Sequence, residues 1–391
     1  MIRPVPLIVL AQLFGTSLWF SANGVGDALM RDWVLTPADL GILTAAVQSG
    51  FILGTLLFAV SGLADRFAAS RVFLTSAITG ATANLALAWL AHDLVAAGLY
   101  RFLTGFALAG IYPVGMKLIV SWAPDRRGEA LAWLVGMLTL GTATPHLLQG
   151  LSLGLAWPWV ITFASGLALL GGMLIEWLGD GPHLMRSPRL QWGGVFRAFE
   201  KPGFRAAALG YFGHMWELYA FWVLAPLFVA GLYPQGSTAT ISLFAFAVIG
   251  IGSIGCVAAG RLSRHFGSAR VAVAALVVSG GFCLVYPWLA GLSAGLALVA
   301  LLLWGVAVIA DSAQFSALAS RHAPPDGVAS ALAIMNSIGF GLSALAIPIT
   351  TSLWQDLGAH VSWLLLPGAV VGVVAMRPLL GTRLPASRES S

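Results

Sequence analysis

Apolar runs of about twenty residues recur along the whole chain, and each is long enough to cross a bilayer core about 30 Å thick. Hydrophobic residues make up 59% of the 391 positions, and charged residues make up only 9%. A soluble domain carries roughly a quarter of its residues as charged side chains. The sequence therefore predicts an all-α integral membrane protein that crosses the bilayer many times.

Hydropathy and the turn residues between the apolar runs predict about twelve transmembrane helices. The predicted helices begin near Pro4, Ala38, Val72, Leu94, Gly128, Trp157, Ala206, Thr238, Val271, Ala294, Val328 and Val361. The first run lacks a cleavage site and precedes many others, so we interpret it as a span and not as a signal peptide. The two cysteines, Cys256 and Cys283, lie in apolar runs and are expected to be core residues.

The positions of the basic residues predict the orientation. If both termini are cytoplasmic, 17 of the 20 Lys and Arg residues fall in cytoplasmic segments, and only Arg31 lies outside. This is the positive-inside distribution, so it explains the net charge of +5 without a nucleic-acid partner. We expect a multi-pass monomer surrounded by lipid in a bacterial cytoplasmic (inner) membrane.

Two similar stretches lie 199 positions apart. Ser61–Val72 reads SGLADRFAASRV and Gly260–Val271 reads GRLSRHFGSARV, and each follows the second helix of a six-helix half. The predicted division is an N-terminal bundle over residues 1–178, a cytoplasmic linker over 179–204, and a C-terminal bundle with a short tail over 205–391. The linker contains an amphipathic stretch that we expect on the inner membrane surface. Repeated halves are typical of transporters whose pathway lies between them.

Three motifs resemble those of the major facilitator superfamily. GLADRF resembles the family's loop Gly-x-x-x-Asp-Arg-x-Gly-Arg-Arg, although Ser61 replaces the leading glycine and Ala68 and Ala69 replace the Gly-Arg pair. RFLTGFALAG resembles its Arg-x-x-x-Gly motif through Arg101 and Gly105, and PDRRGEA resembles its loop between helices four and five. The resemblance covers the whole chain. It implies twelve transmembrane helices in two pseudo-symmetric six-helix bundles, the superfamily fold, and secondary transport by alternating access.

The resemblance also implies a gating loop. Asp65 occupies the place of the loop acid that holds the inner gate closed, with Arg66 and Arg71 beside it. In the second half Arg264 stands where that acid would be, so the latch is expected only in the first half. The alternative is that Asp65 is a solvated loop charge.

Glu217 and His214 are ionisable residues near the middle of the seventh apolar run. Glu217 lies about twelve residues into that helix, roughly 18 Å deep by the helical rise, and His214 is on the same face one turn away. An ionisable group at that depth is costly and is a candidate functional group. We expect Glu217 to exchange a proton or contact substrate, with His214 tuning the exchange. The alternative is a permanent interhelical hydrogen bond.

Other buried charges are fewer and more ambiguous. Asp311, in the tenth helix, is a candidate second protonation site or a partner for Lys117. Arg101 and His146, in the fourth and fifth helices, are candidates for an anion-attracting patch, unless Arg101 ties helices four and one together. Lys117 would otherwise be a lysine that reaches the inner interface.

The remaining candidates for lining the cavity are polar or aromatic residues on otherwise apolar helices, where aromatic rings could stack on a planar or hydrophobic solute. They are Gln12, Trp19, Asn23, Gln48, Tyr112, Trp216, Tyr219, Trp222 and Asn336. For any single one of them, packing is the alternative.

The sequence favours a secondary active transporter of a small organic solute, coupled to protons by symport or antiport. It contains no nucleotide-binding loop, metal motif or cofactor signature, so we expect neither an enzyme nor an ATP-driven pump. Two alternatives remain within the class: a drug or metabolite antiporter, suggested by the Gly/Pro rhythm of the fifth helix, and an anion porter. A non-transporting membrane sensor is the alternative from another class.

Overall fold

The computed structural model describes residues 4–61, 66–152, 154–184, 192–324 and 328–381. Within these ranges every regular element is helical. Eleven of the described helices are long and apolar enough to cross a membrane, and the shorter apolar helix Pro4–Thr16 precedes them. The predicted all-α membrane fold is therefore confirmed.

We number the membrane helices α1 to α12. In the first half they are α1 (Pro4–Thr16), α2 (Pro37–Ser61), α3 (Ala69–Leu90), α4 (Leu94–Trp122), α5 (Arg127–Gly150) and α6 (Trp157–Leu178). In the second half they are α7 (Pro202–Leu232), α8 (Thr238–Phe266), α9 (Ser268–Leu292), α10 (Ala294–His322), α11 (Val328–Ser352) and α12 (Trp354–Leu380). A linker helix, Trp192–Glu200, lies between the halves in sequence.

Eleven of the twelve predicted starts lie within four residues of the observed ones, and α12 is the exception. It begins as a single turn, Trp354–Leu357, and continues as the 3-10 helix Gly358–Leu364 before Leu366–Leu380. Gly358 has a φ of +53°, a positive value that favours glycine, and the single α-helical turn ends there. The predicted start at Val361 therefore falls inside the 3-10 segment.

Acidic and hydroxyl side chains cap several of the helices. Asp93 accepts a hydrogen bond from the Ala96 amide at the start of α4, 2.8 Å away, and Ser237 caps α8 in the same way. The cap of α3 comes from a residue that is distant in sequence: Asp180 accepts from the amides of Ala69 and Ser70 at 3.1 and 2.8 Å. Such bonds satisfy amide groups that a helix cannot pair internally. Asp180 thereby fastens the end of α6 to the start of α3.

Besides α12, four membrane helices are interrupted among the described residues, which the sequence analysis did not predict. The chain leaves helical geometry after α1 and resumes as Ser21–Gly24 and Gly26–Trp33. The other interruptions lie at residues 109–111 in α4, at Ile251 in α8 and at Asp311 in α10. Irregular backbone at membrane depth is tolerated where it is buried in protein or lines a cavity. The breaks in α1 and α10 position the site described below.

Glycines allow α2 and α4 to approach each other closely. A Cβ atom added to Gly105 would overlap the backbone of Val47, and one added to Gly50 would overlap that of Phe102. Small residues at such crossings permit the close packing that holds membrane helices together. The two halves meet mainly where α2 packs along α11 and α5 packs along α8.

We expect Gly105→Ala to lower the thermal unfolding midpoint of the detergent-purified protein, because the added methyl group pushes α2 away from α4. Gly98→Ala is the matched control, since it lies on the same helix with open space around its Cβ position. That substitution should leave the midpoint unchanged or slightly raised, because alanine is the better helix former. Equal midpoints for both variants would contradict the assigned α2–α4 crossing.

Candidate functional site at the interface of the halves

Six buried aromatic side chains meet at the centre of the interface. The first half contributes Trp19, Phe20 and Phe51, and the second contributes Tyr219, Trp222 and Phe340; each is at most 4% exposed. The Trp19 ring stacks on Tyr219 at a centroid distance of 5.8 Å and on Phe340 at 5.7 Å. Phe51 lies 4.5 Å from Phe340. These contacts join α2 and the break after α1 to α7 and α11.

Trp19 reaches this position because the chain breaks after α1, and Arg101 stabilises the break. The Arg101 guanidinium donates to the carbonyl of Leu18 at 3.0 Å, to the carbonyl of Trp19, and to Ser21 Oγ at 3.0 Å. It also lies 3.4 Å from Asn84 Oδ1 on α3. Backbone carbonyls freed by a helix break need donors when water is excluded. Arg101 is fully buried and supplies them.

Several buried polar atoms on the helices that carry the aromatic rings lack a hydrogen-bond partner among the described residues. They are Trp19 Nε1, Trp222 Nε1, both amide atoms of Gln12, and both amide atoms of Gln48. All four side chains are fully buried. An unpaired buried polar group costs about 1–3 kcal/mol, so this arrangement is retained against a sizeable penalty.

His214 and Asp311 form a buried pair in the second half. His214 Nδ1 on α7 lies 2.8 Å from Asp311 Oδ1, and the two side chains are 1% and 2% exposed. Asp311 stands at the break in α10, where its carbonyl accepts from the amides of Gln314 and Phe315. The rings of Tyr211 and Phe315 flank the imidazole. The sequence analysis considered Asp311 as a second protonation site or as a partner for Lys117, and the structure places His214 against it.

Glu217 has different neighbours from His214. Its Oε1 atom accepts from Trp304 Nε1 at 2.7 Å, from Cys283 Sγ at 3.3 Å, and from the Ser279 hydroxyl. These donors lie on α9 and α10 of the same half, so the carboxyl group links three helices of the second half. The structure places Glu217 and His214 in separate clusters, although they are one turn apart on α7.

A small cavity lies between the halves near the ends of α5 and α8. Its volume is about 20 Å³, and its lining includes Asn23, Asp27, His146, Gln149 and Ser242. The space is enough for one water molecule. His146 Nε2 and Asn23 Oδ1 have no partner among the described residues. Asp27 shares this lining with His146, whereas Arg101, the other residue considered for an anion-attracting patch, lies at the break after α1.

Comparison with known proteins decides the family. A sequence profile described as the Major Facilitator Superfamily matches residues 7–348. The chain belongs to this superfamily. An MFS-type transporter of Mycobacterium tuberculosis is 27% identical over 91% of this chain and 81% of its own length. The facilitator is a multi-pass membrane transporter of a small solute and not an enzyme.

Two further similarities are more limited, the first in the length that it covers and the second in its sequence identity. The niacin transporter of Acinetobacter baylyi is 34% identical over 30% of this chain, and the match spans only 28% of that transporter's length. A solved bacterial homologue of the human lysosomal transporter Spinster, inward-facing and unoccupied, has a TM-score of 0.72 at 15% identity, with 98% of both chains covered. The latter shows the shared fold alone.

The remaining predicted site residues of the facilitator are dispersed. Tyr112 lies at the edge of the aromatic group, 6.4 Å from the Trp19 ring, whereas Trp216 donates to the Leu364 carbonyl at 2.8 Å and ties α7 to α12. Asn336 is half-buried on α11.

Of the gating residues, Arg66 is exposed and Asp65 lies outside the described residues. Arg71 lies 3.7 Å from Glu176 with a side chain that is 75% exposed. An exposed pair of this kind contributes little stability.

Sequence reasoning missed Phe20, Phe51 and Phe340, and it missed the Ser279, Cys283 and Trp304 donors around Glu217. A phenylalanine on an apolar helix carries no signal that separates a packing role from a site role. Phe51 did offer one weak clue, since it follows the polar Gln48 by one helical turn.

We expect Arg101→Lys to destabilise the facilitator by about 2–4 kcal/mol, because a single ammonium group cannot reach all of the acceptors around the α1 break. The measurement is thermal denaturation of the purified protein, with Arg31→Lys as the control, since Arg31 is exposed. An Arg101→Lys midpoint equal to that of the native protein would show that the guanidinium is not needed at the break.

Proposed function

We propose that this facilitator moves a small organic solute by alternating access and that protons drive the movement through the His214–Asp311 pair. The main support for the proposal is the distance of 2.8 Å between His214 Nδ1 and Asp311 Oδ1, which belong to two ionisable groups buried at membrane depth. Ionisable residues in such places mark proton relays or substrate sites in transporters.

The net charge of the His214–Asp311 pair determines when the site can close. A buried pair that is neutral overall holds one proton, either as imidazolium with carboxylate or as imidazole with carboxylic acid. When water reaches the pair, that proton can leave, and a net negative charge remains. Burying this charge again is costly. Closure of the site therefore requires a proton, or a cationic group of the solute, to be taken up first.

In this proposal Glu217 is a structural anchor and not the proton carrier. Its carboxyl oxygen already has three donors within the second half, whereas His214 Nε2 has no partner among the described residues. An atom without a partner is available to water or solute when the site opens. This assigns to His214 and Asp311 the exchange that the sequence analysis centred on Glu217.

The proposed arrangement is an N-terminal bundle over residues 1–178 and a C-terminal bundle over 205–391, joined by the cytoplasmic linker 179–204. The alternating contacts would be those of α2 with α11 and of α5 with α8. Both termini would face the cytoplasm of a bacterium, in agreement with the distribution of Lys and Arg.

The test is transport by the full chain in proteoliposomes under inward and outward proton gradients. The niacin transporter makes nicotinate the first solute to test, beside other small organic acids, neutral compounds and bases. Accumulation under an inward gradient would indicate symport, and accumulation under an outward gradient would indicate antiport. Absence of gradient-dependent flux for every solute would contradict the proposal.

We expect Asp311→Asn to abolish accumulation driven by the proton gradient while solute exchange without a gradient persists, because an amide cannot release a proton. Glu217→Gln is the matched control, since its amide oxygen can still accept from Ser279 and Trp304. It should keep at least half of the driven accumulation. The reverse outcome, with loss only in Glu217→Gln, would make Glu217 the carrier and His214–Asp311 structural.

A further inference from the structure

Four of the interfacial rings form what we call the aromatic clamp: Trp19, Phe51, Tyr219 and Phe340. Trp19 is nearly parallel to the two rings of the opposite half, with interplanar angles of 26° to Tyr219 and 21° to Phe340. Phe51 packs on both Trp19 and Phe340, at 4.8 and 4.5 Å. The clamp therefore consists of flat faces held against each other across the interface.

Separation of the halves at this level would break the clamp. Trp19 and Phe51 belong to the first half, and Tyr219 and Phe340 belong to the second, so their mutual contacts cross the interface. Opening would remove the contacts of Trp19 with Tyr219 and Phe340, although each ring keeps an aromatic neighbour within its own half. A flat ring inserted between them would restore ring contacts on both sides, whereas a puckered aliphatic ring would not.

Polar atoms around the clamp indicate what such a ring should carry. The indole N–H groups of Trp19 and Trp222 and both amide atoms of Gln48 are buried and have no partner among the described residues. Trp222 lies 5.1 Å from Tyr219, and Gln48 is one turn from Phe51 on α2. Two indole donors and an amide match a solute that bears hydrogen-bond acceptors.

We propose that the aromatic clamp is the recognition element for a flat aromatic or heteroaromatic ring that carries a hydrogen-bond acceptor group. The ring is held between Trp19 and the faces of Tyr219 and Phe340, and its acceptor meets the indole N–H groups or Gln48. This inference rests on the proposed transport function and specifies its substrate class.

The clamp fits a flat ring better than an organic cation, the other ligand that aromatic groups bind. Cation-binding aromatic cages surround a charge with ring faces. Here the Trp19 face is nearly parallel to the rings of Tyr219 and Phe340, and the unpaired indole N–H groups are donors, for which an organic cation offers no acceptor. A space between nearly parallel ring faces, with N–H donors beside it, favours a planar solute that carries a hydrogen-bond acceptor.

The test uses matched probes and the purified full chain in nanodiscs. Benzoate is compared with cyclohexanecarboxylate, and benzamide with cyclohexanecarboxamide, by titration calorimetry. Within each pair the head group is the same and only the flat ring differs. We expect the aromatic member of at least one pair to bind roughly 3- to 10-fold more tightly, the range that a stacked ring contact supplies.

Phe340→Leu should reduce that preference to about one, because leucine keeps the apolar volume and loses the flat face. Phe51→Leu is a second variant on the opposite half, and gel filtration checks that both variants remain folded. Phe228→Leu is the control, since Phe228 packs on Tyr286, Trp304 and Trp354 within the second half. This variant should retain the preference of the native protein.

Equal binding of saturated and aromatic probes, no binding of any of them, or displacement of benzoate by tetramethylammonium would overturn the inference. So would an unchanged preference in Phe340→Leu. These outcomes are separate from failure of the proposed function. Gradient-driven flux of a solute without an aromatic ring would leave the transporter proposal standing and refute the clamp.

Discussion

The hydrogen bonds from Arg101 to the carbonyls of Leu18 and Trp19 are the interaction on which the centre of the structure depends. Hydrocarbon provides no donors for carbonyls that leave a helix, so a break in a membrane helix requires a donor from the protein. A guanidinium carries several donors in a fixed plane and can serve two carbonyls and a hydroxyl together. With the break secured, Trp19 projects into the interface, where the rings of the second half pack on it.

The polar groups of the second half follow two different patterns. One carboxyl oxygen of Glu217, Oε1, accepts from Ser279, Cys283 and Trp304. His214 and Asp311 pair only with each other through their facing atoms, at a break in α10, and the outer imidazole nitrogen has no partner among the described residues. A polar atom whose hydrogen bonds are made stabilises a single packing of the helices. A polar atom without a partner can gain a hydrogen bond in a second conformation. This contrast supports the proposal of a structural role for Glu217 and an exchange role for the pair.

The helices themselves follow closely from the sequence, because apolar length and basic loops dominate the energetics of a membrane chain. The interruptions in α1 and α10 were not predicted. The segments SLWF after α1 and ADS in α10 contain no proline or other helix-breaking residue that marks a change of direction. The start of α12 differed because Gly358 adopts a positive φ that no pattern indicated.

Within the site, ionisable residues were predicted as candidates because they are costly in hydrocarbon, and tryptophans because their rings could stack on a solute. Their partners were not predicted, since Asp311 is 97 positions from His214 and only the folded packing of α7 against α10 brings them together. Phe51 and Phe340 are ordinary apolar residues in sequence. Their role in the aromatic clamp emerges only from the α2–α11 contact.

The central proposal is that the two halves open alternately at either end of the molecule, and paired spin-label distances test it most directly. One label pair, at Phe67 and Phe266, reports the end of the molecule that carries the α2–α3 loop, and both positions are exposed. The other pair, at Asp93 and Ser293, reports the opposite end, again at exposed positions. The account predicts that lowering the pH from 8 to 6 with benzoate present shifts the two distance distributions in opposite directions. Distributions that stay fixed in every condition, or that widen together, would contradict it.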